Sequence, residues 1–196
     1  MIYTLSNSIF ENLNDDNLDS LDKIWSNSKG RNFLFIQTEH NFDSIRASRW
    51  FHGLRKTSQY HIEQQFIASA QMGKSDKILT VSNENDVFFS LDEASEILSR
   101  PVTVILEHIE YDAYFLDAII RTHGQGLLIK EYYDNGWLIY TNGNGNNIES
   151  VIKSMKVRFE KNKVKFPKNS STYIKAFVII DSDKKSELSV LCRTFK

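Results

Sequence analysis

Cysteine is nearly absent: the 196 residues contain one, Cys192. That excludes an intrachain disulfide and a zinc site built from cysteines, and it makes a reducing, cytoplasmic setting the expectation. Proline is scarce as well, at two residues, and glycine stands at eight, so neither a collagen-like repeat nor a proline- and glycine-rich linker is present. Long apolar runs are missing. The longest are about six residues, far short of the ~20 a spanning helix needs, so no membrane partner is expected. The opening MIYTLSNSIFENLNDD has neither a basic n-region nor an apolar h-region, and no signal peptide is expected. A dominant charge sign is lacking too: the net charge is −1, which by itself points to no nucleic-acid partner. What remains is an ordinary globular mixture, 41% hydrophobic and 25% charged, of a length that suits one domain or one with a small extra.

The near-neutral total hides an asymmetry. Residues 1–100 hold ten basic and fourteen acidic side chains, and residues 101–196 hold fourteen and eleven. Between Lys153 and Lys185 ten basic residues face three acidic ones. Such a run is either a solvated helix face leading into a lysine-rich loop or a local electropositive track for phosphates.

Hydrophobic spacing sets the expected elements. Leu18, Leu21 and Trp25 predict a helix over about 17–27. NFLFIQ (32–37) and KILTVS (77–82) predict strands, and residues 42–57 and 59–72 two helices. Ser90-Leu91-Asp92-Glu93 is a capping box that starts a helix running to about Ser99. Residues 1–100 thus form a mixed α+β region carrying no assignable chemical motif. After Pro101 the pattern sharpens. VTVIL (102–106) is an uncharged, β-branched run of the kind buried on both faces of a parallel sheet. A helix over about 111–121 follows, then WLIYT (137–141), the turn Asn142–Asn146 rich in asparagine and glycine, and a helix with Ile148, Val151, Ile152, Met155 and Phe159 on one stripe. AFVII (176–180) closes the series. Strand–helix–strand–helix–strand argues for a parallel α/β sheet over 101–196.

Two of these three strands end in acids: Glu107 after VTVIL, and Asp181 with Asp183 after AFVII. Ligands of open parallel sheets bind at the carboxyl ends of the strands. Alternation along an extended chain puts Asp181 and Asp183 on one face, roughly 6.5–7 Å apart. If the two strands are neighbours, Glu107 joins them, and three converging carboxylates need a counter-charge. Mg²⁺ or Mn²⁺ would supply it, since hard cations favour carboxylate oxygen. The plainer reading of either element is a turn or cap at a strand end.

The order of these motifs resembles a Toprim domain, the topoisomerase–primase fold shared with small nucleases of the overcoming-lysogenization-defect type. That family carries a glutamate after its first strand, a glycine-bearing turn after the second and a DxD after the third, matched here by Glu107, Asn142–Asn146 and Asp181-Ser182-Asp183. ILEHIEYDAYFLDAII also resembles the start of the nuclease-type members, with Asp112 in the spacer. The likeness spans roughly residues 102–185 and implies a βαβαβ, Rossmann-like order. It departs at Glu107-His108, where the family commonly has Glu-Gly. A full domain would continue past Lys196 with another helix and strand, so the chain is expected to be either a minimal member or a piece of a longer one.

The resemblance implies metal-dependent cleavage of a nucleic-acid phosphodiester, DNA first. Asp181 and Asp183 would hold the metal, Glu107 would bind metal or act as general base, and Lys184 and Lys185 would contact phosphates, with Glu187 as an optional further ligand. Small Toprim nucleases often serve anti-phage defence beside an ATPase. The chain has no G-x-x-x-x-G-K-[ST], so any ATPase would be a separate subunit. Topoisomerase and primase activities would need domains the sequence does not contain. Two alternatives stand beside the nuclease: a non-catalytic Toprim-like module binding nucleic acid or a partner, and a DxD phosphotransferase of the haloacid-dehalogenase type, whose nucleophile lies near the start of its domain rather than fifteen residues from the end.

Overall fold

The computed structural model describes residues 1–180 except 12, 29, 73–77, 85–86, 123–125 and 145–146. The chain is α/β and divides into two compact units. One comprises Met1–Arg100 with Val164–Lys168; the other comprises Pro101–Lys163 and resumes at Asn169.

The first unit is built on strands β1 (Ile2–Leu5), β2 (Phe33–Leu34) and β3 (Ile78–Val81). They form a parallel sheet in the order β2-β1-β3, so a region expected to be mixed α+β is itself a parallel α/β unit. Between β1 and β2 run α1 (Ser8–Glu11) and α2 (Asp15–Ser28); between β2 and β3 run α3 (Glu39–Ala47), α4 (Arg49–Gly53) and α5 (Lys56–Met72). The single break expected near residue 57 is replaced by two, at Ser48 and Leu54. Ser48 makes the first: its hydroxyl donates to the Ile45 carbonyl and accepts from the Phe51 N–H, ending one helix and starting the next. Helix α6 (Leu91–Ser99) begins with the expected capping box, Ser90 and Glu93 satisfying each other's backbone N–H groups. It packs on α2, and Leu21, Ile24, Ile97 and Leu98 are buried.

The second unit has strands β4 (Val102–Leu106), β5 (Leu138–Asn142) and β6 (Ala176–Ile179), parallel, in the order β5-β4-β6. Helices α7 (Ile109–Thr122) and α8 (Gly126–Asp134) join β4 to β5; α9 (Ile148–Glu160) and a 3-10 turn (Ser170–Tyr173) join β5 to β6. Ile148 and Ile152 of α9 bury against Ile105, with Met155, Val178 and Ile180 around them. Burying each such side chain is worth about 1.5–3 kcal/mol. Phe159 ends the stripe by stacking on Tyr173 at 5.0 Å. Among the described residues no helix is long and apolar enough to cross a membrane.

Candidate functional site

Each sheet has its first strand in the centre, with the second and third on opposite sides. The chain therefore leaves the central strand in one direction and later returns to its other side. The carboxyl end of such a strand is where open α/β sheets bind ligands. In the second unit this position belongs to Glu107.

Glu107 follows the last residue of β4 and is 5% exposed. The neighbouring strand that leads to the DxD is β6, paired parallel with β4 at Leu106↔Ile179, so Glu107 is level with Ile180, after which Asp181 is next in sequence. Asp181, Asp183, Lys184, Lys185 and Glu187 lie outside the described residues. Among the described residues no three His, Cys, Asp or Glu side chains gather as a metal cluster.

Two local features hold the end of β4. The Asp112 carboxylate accepts the His108 backbone N–H at 2.8 Å, so the acid in the spacer of the apolar segment fixes the residue after Glu107 and caps α7. On the other side, the Gly143 N–H donates to the Leu106 carbonyl at 2.6 Å. Gly143 is buried, and a side chain there would lie 2.7 Å from Ile148 Cγ1 and 2.9 Å from the Leu106 oxygen. The glycine-bearing turn after β5 is thus pressed against the strand end that presents Glu107. His108 sends Nε2 to 4.0 Å from Glu107 Oε1, and its side chain is largely exposed. Carboxylate oxygen is the donor that hard cations favour.

The basic run divides between the units. Lys165 and Lys168 belong to the first, where they pair with Glu96 at 3.5 Å and with buried Glu93 at 3.1 Å. Lys153, Arg158, Lys161 and Lys163 are exposed on or after α9, so any phosphate track in the second unit is shorter than the run in sequence.

A shallow pocket between α7, α8 and β5 is lined by Asp117, Arg121, Lys130, Tyr133 and Tyr140. Partial burial and the adjoining Asp117 carboxylate push the Tyr140 phenol up to about 12. Its hydroxyl donates to Asp117 over a long 3.4 Å.

The corresponding end of β1 in the first unit carries three serine hydroxyls that the sequence reading passed over. Ser6, Ser8 and Ser82 form a closed triangle at 2.5, 3.0 and 3.2 Å. The signal was present, since IYTL and ILTV each run straight into serine, but it required recognising β1 as a strand. No family model, curated protein or solved structure matches the chain.

Proposed function

We propose that the second unit is a Toprim-type, metal-dependent phosphodiesterase acting on nucleic acid. The observation that carries this reading is the buried Glu107 at the carboxyl end of the central strand, on the strand that neighbours the one leading to Asp181 and Asp183. Glu107, Asp181 and Asp183 would hold Mg²⁺ or Mn²⁺, which when bound neutralises charge developing on the scissile phosphate. A water oxygen forms the new P–O bond while Glu107, where it does not itself ligate metal, accepts the water's proton. The bridging P–O bond breaks, leaving one phosphate end and one hydroxyl end. Lys184 and Lys185 steady neighbouring phosphates.

The test is incubation with plasmid, linear and single-stranded DNA and with RNA, each with Mg²⁺, Mn²⁺ or EDTA. Cutting is expected with metal alone and is expected to be lost in Glu107→Gln and Asp181→Asn. Cutting that survives both substitutions would remove the site from these residues. Binding without cutting would assign a non-catalytic nucleic-acid module instead.

A further inference from the structure

Helix α7 is built like an interior helix but lies at a surface. Nine of its fourteen residues, IEYDAYFLDAIIRT, are apolar or aromatic, and none is buried. One face, with Leu116, Ile119 and Ile120, is half-buried, on a helix that packs against β4, β5 and α8. The opposite face presents Tyr111, Tyr114, Phe115 and Ala118 at i, i+3, i+4 and i+7. This is the spacing of a packing stripe, yet the three aromatics are 76%, 78% and 67% exposed. A second apolar stripe, on the solvent side of a helix already packed on its other face, marks an interaction surface. At roughly 200 Å² per aromatic side chain, these three expose on the order of 450 Å². That exceeds what singly scattered apolar residues explain, and it is over half of the ~800 Å² each partner contributes to a standard interface. Leu127 and Leu128, at the start of α8, are 83% and 56% exposed and add to it.

We propose that this stripe is covered by the same stripe of a second copy of the chain, with the two α7 helices antiparallel about a two-fold axis near Phe115–Leu116. The charge pattern selects this occupant. The α7 acids Glu110 and Asp112 stand in the first turn and its base, Arg121, in the last. Glu110 and Arg121 flank the aromatic stripe on the same side, being eleven residues, or about 20° of helical rotation, apart. Within one helix they are separated by about 16 Å along the axis, too far for an ion pair. Antiparallel two-fold pairing brings each Glu110 beside the partner's Arg121, an isologous contact made twice. A nucleic-acid strand stacking on the same aromatics is disfavoured, because α7 carries three acids against one base.

Sedimentation equilibrium on the full chain at micromolar concentration is expected to give twice the 22.8 kDa chain mass. Tyr114→Asp, at a solvent-facing position, is expected to yield a monomer with unchanged circular dichroism. Glu110→Arg and Arg121→Glu are each expected to weaken association about tenfold, the scale of losing two solvent-exposed ion pairs. Combined in one chain they are expected to restore it, a rescue no intrachain role would give. A monomeric wild type, a dimer that survives Tyr114→Asp, or failure of the charge reversal to rescue would each overturn the proposal. Single-strand binding abolished by Tyr114→Asp with the mass unchanged would overturn it in favour of a base-stacking platform.

Discussion

Replacing Gly143 by alanine tests how the carboxyl end of β4 is held. The backbone of Gly143 does not occupy the left-handed region, so the cost of a side chain is steric. The new methyl would lie 2.7 Å from Ile148 Cγ1, 2.9 Å from the Leu106 oxygen and 3.4 Å from Ile105 Cγ2. Carbon contacts settle near 3.5–4.0 Å, so the first two must give by about 0.6–1.3 Å. Neither is free to do so. Ile148 is 4% exposed within the α9 cluster, and the Leu106 oxygen accepts the Gly143 N–H itself. Overpacking of this kind costs about 1–3 kcal/mol. Urea unfolding followed by circular dichroism should show that loss as a lower midpoint. A double-mutant cycle sharpens the test: Ile148→Ala alone should cost about 2–5 kcal/mol, and together with Gly143→Ala it should cost less than the two losses added, because the alanine methyl enters the vacated space. Since Leu106 directly precedes Glu107, the proposed phosphodiester cleavage should also fall, by up to about a hundredfold for a displacement near 1 Å. An unchanged midpoint, or strictly additive losses, would refute this account of the turn.

Three further outcomes are expected. Lys168→Met removes the ammonium that pairs with the Glu93 carboxylate, whose side chain is 3% exposed. It should cost about 3 kcal/mol, at the low end because the Ser90 N–H still bonds Glu93, and a loss below about 1 kcal/mol in urea unfolding would contradict it. Tyr140 titrates at about 12 in the fold against 10.0 ordinarily. Between those values the unfolded chain releases a proton that the folded chain keeps, so stability falls as pH rises. Tyr140→Phe should make that alkaline decline shallower in thermal melts taken across the interval, and an identical slope would count against the shift. Finally, Mg²⁺ should raise the melting temperature of the wild type, by the equivalent of about 2.7 kcal/mol at a hundred times its dissociation constant. The same titration should leave Glu107→Gln unmoved; an equal rise in both would place the ion elsewhere.

The strands most legible in the sequence were those buried by continuous apolar character. VTVIL coincides with β4, and AFVII contains β6, because β-branched runs without charge have few alternatives. The α9 stripe was equally plain, since its 3.6-residue spacing is the face that packs on Ile105. Strand β1 escaped notice because four residues bounded by Met1 and Ser6 give too short a window for periodicity. Helix α8 escaped for a different reason: Leu127, Leu128 and Ile129 are consecutive and all exposed, so they follow no buried stripe. The pairing of Lys165 and Lys168 was out of reach because their partners, Glu96 and Glu93, lie about seventy residues away and local charge counting sees only neighbours. Of the candidate site, Glu107 was legible from strand-end logic, and the adjacency of β4 and β6 was the condition on which its link to the DxD rested.

The two units share a strand order but differ in what stands at the carboxyl end of the central strand, and that difference is why the proposed activity is assigned to the second. At the end of β1 the hydroxyls of Ser6, Ser8 and Ser82 bond one another. Three neutral groups closed on themselves have their hydrogen-bonding demand met within the fold and carry no charge to attract an ion or polarise a water. At the end of β4 the chain instead buries a carboxylate beside a glycine turn that admits a side chain only if its neighbours shift. A carboxylate, unlike a hydroxyl, offers the hard oxygen that divalent cations favour and can accept a proton from water. The same topology therefore carries neutral hydroxyls at this place in one unit and an acid in the other. For this reason the proposed activity rests on the second unit.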